Sequence, residues 1–244
     1  MFSTSTLSDL IFNSLKFISE EKYQEASDNV ESILNNNNYV CELNTYHWQC
    51  IADIYLALGR FETAKDAYFK ANNMMGVAFA LILMGSLNDA NSYLQKANKS
   101  SIKTWCEFLI DIFTEKAKIK SWPSFLQIRH FLEFTVYYLL LSKQYTLLNL
   151  LVKSLKKLLD QNMDSEKYIG YAYLSYGDAD QALKYMNGSI KRNKLDGELY
   201  FMLGKAHIMK NNFQGALSML ENAKSLLPNH YPTKLLLEHI KQKL

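Results

Sequence analysis

The chain has 244 residues, 48% of them hydrophobic and 21% charged, with 3 Pro and 9 Gly; this composition buries a core, suits long helices and excludes fibrous and loop-rich classes. The net charge of +3 is too small to demand a nucleic-acid partner. Three cysteines, Cys41, Cys50 and Cys106, form no CxxC pair, which excludes a disulfide frame and fits a reducing, cytoplasmic setting.

The opening MFSTSTLSDLIFNSLKF has no basic stretch ahead of a compact apolar run and no small-residue cleavage site, so no signal peptide is expected. Leu10, Phe17, Ala26, Val30 and Ile33 fall at helical spacing and predict a helix pair over 7–40, ending in a short polar loop at Asn35 to Asn38. A second pair over 45–78 is carried by Trp48, Ile51, Ala52, Tyr55, Ala64, Tyr68 and Ala71, with a turn at Gly59. The most membrane-like run, Met74 to Met84, falls well short of the roughly 20 residues a span needs. It is predicted to be a buried helix, the shortened first member of a third pair that turns at Gly85.

Residues 101–128 fit no repeat. They predict an inserted helix, Ile102 to Lys118, closed by Ser121, Trp122 and Pro123, with Trp105 and Trp122 packed where it meets the rest. The periodicity is clearest after this point: the segment from Glu166 to Ser189 overlays Tyr200 to Ala223 at an offset of 34, with Gly170 on Gly204, Gly177 on Asn211 and Ala182 on Ala216. Another 34 residues back from Ala182 lies Leu148, inside YTLLNLLVKSLKKLL. Three further pairs are therefore expected over 129–162, 163–196 and 197–230, followed by a capping helix from Thr233 to Leu244. The organisation reads as 1–100, an insert at 101–128, a second array at 129–230 and a cap at 231–244.

Two positional signals recur. Small residues occupy the eighth and twentieth places of every unit but the fourth, which has Val136 and Leu148 there; at these places two helices must approach closely. The fifteenth place holds Gly59, Gly85, Gly177 and Asn211, residue types that end helices in the left-handed conformation. An aromatic follows two places later at Tyr23, Phe61, Tyr145 and Phe213.

This spacing resembles the tetratricopeptide repeat family, whose 34-residue pattern is W-x2-L-G-x2-Y, A-x3-F and P. The match runs through Trp48 to Ala71 and again through Tyr200, Leu203, Gly204, His207, Ala216, Leu220, Ala223 and Pro228. The resemblance implies an all-α solenoid, a right-handed superhelix of antiparallel helix pairs, whose first helices line a concave groove. Carried over by position, that groove would present Asp164, Lys167, Tyr171, Leu174 and Ser175 in the fifth unit. The sixth would present Glu198, Phe201, Lys205, Ile208 and Met209, and the fourth His130, Glu133, Tyr137, Leu140 and Leu141. In the first unit Ile11, Leu15 and Ile18 hold the equivalent places. The carboxylate clamp of chaperone-docking members is missing, since Gln49, Asp53, Lys167, Tyr171 and Met202 stand at the matching places.

No HExxH, Cys/His ligand spacing, GxGxxG, GxxxxGK[ST] or GxSxG occurs, so no metal, cofactor or catalytic residue is assigned. The expected function is a non-catalytic protein–protein interaction module, a scaffold or chaperone-like holder. Its groove, formed by Glu133, Tyr137, Lys167, Tyr171, Leu174, Phe201, Lys205 and Ile208, would take a protein or peptide with an acidic and apolar segment. Charge is unevenly spread: residues 1–100 carry 7 Lys/Arg against 11 Asp/Glu, and residues 150–244 carry 14 against 9. The alternative, an RNA-binding helical repeat, needs a basic groove throughout, which the acidic first half disfavours. No membrane partner is expected.

Overall fold

A computed structural model describes residues 6–116, 118–120, 122–156 and 164–244. These form fifteen α-helices, and no strand occurs among the described residues. The chain divides into two compact units, residues 1–122 with 141–147 and residues 123–140 with 148–244.

The first unit contains α1 (Leu7–Ser19), α2 (Tyr23–Leu34), α3 (Asn37–Glu42) and α4 (Thr45–Ala57). It continues with α5 (Phe61–Lys70), α6 (Met74–Leu83), α7 (Leu87–Lys96) and α8 (Ser101–Phe113). Helices α1 and α2, α4 and α5, and α6 and α7 pack as pairs, while α8 lies against both α6 and α7. The second unit takes most of α9 (Phe125–Leu141) and α10 (Tyr145–Lys156), then α11 (Ser165–Tyr176), α12 (Ala179–Arg192), α13 (Gly197–Met209), α14 (Phe213–Leu226) and α15 (Tyr231–Lys241). From α11 to α15 each helix packs on the next.

The turns between first and second helices share one geometry. The fifteenth residue has positive φ in all six units: Glu21 59°, Gly59 72°, Gly85 83°, Lys143 57°, Gly177 95° and Asn211 55°. Its amide and the next amide fold back on the helix just ended. At α11 the Gly177 N–H donates to Leu174 O at 3.1 Å and the Asp178 N–H to Tyr173 O at 2.9 Å. Asn211 to Ile208 and Asn212 to His207 repeat this at α13, both at 2.9 Å. These are paired C-terminal caps that satisfy carbonyls otherwise left open. The aromatics two places later are the first residues of α2, α5, α10 and α14.

The small-residue places are interior. Ser14, Ala52, Ala78 and Val136 at the eighth position are fully buried, as are Ala26, Ala64, Ala90, Ala182 and Ala216 at the twentieth. In the second unit the approach leaves no room for a side chain: a methyl group on Gly170 would lie 2.5 Å from Met186 Cγ and one on Gly204 2.7 Å from Leu220 Cγ.

Five local expectations need correction. Asn37 and Asn38 are helical, because the Asn36 side chain accepts from the Asn38 N–H at 3.0 Å and starts the short α3. The inserted helix ends at Phe113, not Lys118, because Glu115 takes φ 49° and the Lys116 N–H returns to Asp111 O at 3.0 Å. Trp105 is wholly buried, but Trp122 is 41% exposed, though its ring lies 5.8 Å from the buried Phe108. Ile11 is no groove residue: it joins Leu7, Ile33 and Cys50 in a buried cluster, with Leu15 packed against it. The last helix begins at Tyr231, two residues earlier than expected, with Pro232 in its first turn. Ser121 and the end of the fourth predicted pair, 157–162, lie outside the described residues.

A methyl group on Gly177 would meet nothing within 4 Å, so Gly177→Ala should cost only the left-handed backbone penalty, about 1 kcal/mol. Gly204→Ala should cost more, about 2 kcal/mol, by forcing Leu220 aside, and Asn211→Gly should be neutral to slightly stabilising. Urea denaturation of the three variants checks the order; equal losses for Gly177→Ala and Gly204→Ala would contradict it.

Candidate functional site

The first helices of the second unit bring part of the expected groove together. Lys167 sits in the first turn of α11, where its side chain is only 9% exposed. A lysine cannot be buried there uncompensated, and two residues from the start of α13 compensate it. Its Nζ donates to Asp196 Oδ2 at 2.8 Å and to Glu198 Oε2 at 2.9 Å. Asp196 is already fixed in place, because its other oxygen caps α13 by accepting from the Leu199 N–H at 3.0 Å. Burial works against the Lys167 charge, but the two carboxylates outweigh it and hold its pKa above the ordinary lysine value.

Tyr171 follows one turn later on α11 and is 4% exposed. Its ring centroid lies 5.6 Å from Lys167 Nζ and 6.2 Å from the Tyr168 ring. The hydroxyl is buried without a hydrogen-bond partner. Burial, then the negative fields of Glu198, Asp196 and Glu133, push its pKa far up. Glu133, half-buried on α9, belongs to the same cluster. Its pKa is raised by burial and then by Glu198, with Lys167 opposing.

The other expected residues divide into two groups. Leu174 is 5% exposed and belongs to the core. Phe201 and Ile208 are half-buried and pack on the Ala216, Leu220, Leu237 and Ile240 cluster that seats α15. Phe201 also meets the His230 ring edge-on at 4.8 Å, while His230 Nδ1 lies 2.7 Å from Thr233 Oγ1. Tyr137 is half-buried with its ring 5.6 Å from Tyr138. Lys205 alone of the eight is exposed. Lys167 is thus not a free cation of that groove, since Asp196 and Glu198 already neutralise it within the chain.

Sequence reasoning placed Glu198 at a groove position but overlooked Asp196. Its signal was visible: an acidic residue directly before a helix start is a cap, and its free oxygen faces the preceding first helix. In the first unit the corresponding polar residues are likewise tied to one another. Tyr68 OH donates to Asp53 Oδ1 at 2.6 Å, Gln49 Nε2 to Asp53 at 3.0 Å, and Asn73 Nδ2 to Gln49 Oε1 at 2.7 Å. His207 is half-buried, with Nδ1 3.2 Å from Asn212 Nδ2, and burial followed by Lys210 lowers its pKa. Among the described residues no group of three His, Cys, Asp or Glu could hold a metal ion, and no helix is long and apolar enough to cross a membrane.

Residues 48–74 match the tetratricopeptide repeat family. No curated protein matches the chain. Among solved structures, the APC/C hetero-tetramer Cut9–Hcn1 contains a chain 14% identical, aligned over 96% of this chain and 42% of that one at a TM-score of 0.41. A tetratricopeptide repeat protein from Parabacteroides merdae is 15% identical over 96% of this chain and 98% of its own, at 0.39. PilW, a type IV pilus biogenesis factor, is 13% identical over 96% and 100%, at 0.40.

Replacing Lys167 by Met should destabilise the second unit by about 2–3 kcal/mol, because it leaves Asp196 largely buried beside Glu133 and Glu198 with no cation. Because the Lys167 pKa is raised on folding, its contribution is fully present at neutral pH and is lost only as pH rises through the folded value, above the ordinary ~10.4. Urea unfolding of wild type and Lys167→Met at neutral pH and near pH 11 checks both points; the difference between them should shrink at the higher pH.

Proposed function

We propose that this chain, which carries a tetratricopeptide repeat at residues 48–74, is a non-catalytic interaction module. On this reading the first helices α9, α11 and α13 of the second unit hold an extended segment of another protein, in the manner of a scaffold or chaperone-like holder. The supporting observation is the run of charged and aromatic side chains at the same places on successive first helices. Glu133, Tyr137, Glu198 and Lys205 remain wholly or partly accessible there, whereas the eighth-position residues beside them are consumed by helix packing. A surface of this kind binds by charge and ring contact.

The partner's chemistry follows from what is still free. Lys205 is exposed, and residues 150–244 carry 14 Lys/Arg against 9 Asp/Glu, so an acidic residue of the partner is drawn to Lys205 on α13. The half-buried rings nearby accept apolar neighbours. Three cysteines present as free thiols fit a cytoplasmic setting.

The test is selection of binding segments from a displayed peptide library, followed by hydrogen exchange and titration. Exchange should slow on α9, α11 and α13 when the selected segment binds. Lys205→Glu should weaken binding about tenfold, a loss of about 1.4 kcal/mol, with unchanged melting because an exposed lysine contributes little to stability. Protection confined to other helices, together with unchanged affinity in Lys205→Glu, would move binding off this surface.

A further inference from the structure

The cluster around Lys167 carries more negative charge than it neutralises. Three carboxylates, Glu133, Asp196 and Glu198, surround one ammonium group. Lys167 takes its two short contacts from Asp196 and Glu198, and Glu133 makes no hydrogen bond or ion pair among the described residues. The Glu198 side chain is 62% exposed and Glu133 is half-buried, so two of the three acids open to the outside. Beneath them the Tyr171 hydroxyl is buried with no partner. A buried hydroxyl left unmatched costs free energy, and this one lies in the negative field of Glu198, Asp196 and Glu133.

We propose that this cluster receives an arginine side chain of the bound protein segment, between Glu133 on α9, Tyr171 on α11 and Glu198 on α13. The inference rests on the groove reading above and adds the partner chemistry at this point. A guanidinium offers five N–H donors in a planar fork. It can donate to Glu133 and Glu198 together and reach the phenol oxygen, which a compact ammonium satisfies less fully. Its charge relieves the repulsion between Glu133 and Glu198, the same repulsion that, after burial, raises the Glu133 pKa. Glu198 and Lys205 are seven residues apart on α13, about 10 Å along the axis. The partner segment then carries a basic and an acidic residue at that separation, which would fix its direction along the groove.

The probe is a labelled twelve-residue peptide with arginine at every fourth position, compared with its glutamate counterpart by fluorescence anisotropy on the full chain. Glu133→Gln and Glu198→Gln are combined in one variant. Neither change should harm the fold, since Asp196 still pairs with Lys167 and Glu133 loses only a repelled charge; unchanged melting confirms this. The arginine peptide should bind wild type more tightly than the glutamate peptide and bind the double variant at least about fivefold more weakly, with Tyr171→Phe weakening it by a smaller factor while stability is unchanged or raised, since the variant loses an unmatched buried hydroxyl. Equal affinity for wild type and the double variant, no measurable arginine-peptide binding, or preference for the glutamate peptide would overturn the proposal. If that happens while library-selected segments still protect α9, α11 and α13, the arginine site alone falls; if that protection is missing as well, the groove reading falls with it.

Discussion

Every helix pair in this chain depends on one backbone event, a single residue forced into the left-handed region after the first helix. That residue reverses the chain within three positions while its amide and the next one cap the helix just completed. The second helix then starts in a direction that lays it back along the first. Only with this reversal in place do the eighth and twentieth residues face each other, and only then does their small size matter. The six recurrences at a common repeat place make the turn the unit of construction, and the apolar positions fill the space that it defines.

How much of this was legible depends on residue type. Gly59, Gly85, Gly177 and Asn211 announce a left-handed turn because their side chains tolerate it. Glu21 and Lys143 adopt the same conformation but carry no such signature. Packing from the flanking helices imposes the turn on them, against a local cost. The same distinction explains the missed boundaries. Helix α8 stops at Phe113 through another such residue, Glu115, and α3 forms through an asparagine cap, Asn36, inside what composition alone presents as a polar loop. Periodicity identifies which residues are apolar together, whereas the ends of helices rest on single side chains with several possible uses.

The candidate site was legible in position and less so in chemistry. Repeat spacing placed Glu133, Lys167, Tyr171 and Glu198 on successive first helices, and the structure brings these four near one another. Spacing could not reveal that Lys167 faces α13 and is neutralised there, because that depends on which neighbour supplies the carboxylate. Nor could it separate Phe201 and Ile208, which seat the final helix, from Lys205, which remains free. Lysine has the same letter whether it meets a partner protein or its own chain. The cost of burying its charge decides between them, and that cost is a property of the assembled array.

Helix α6 imposes a condition on how the first unit can be divided. Its seven consecutive residues from Val77 to Leu83 are all buried, so it has no side that tolerates water, and α5, α7 and α8 all pack on it. Helix α8 is the last of these to emerge during synthesis. A polypeptide released after about residue 100 would leave the α8-facing side of this apolar helix uncovered and would be prone to self-associate. A fragment that keeps α6 covered therefore extends at least to the Phe113 end of α8, and the helix that fits no repeat is the one that closes the third pair.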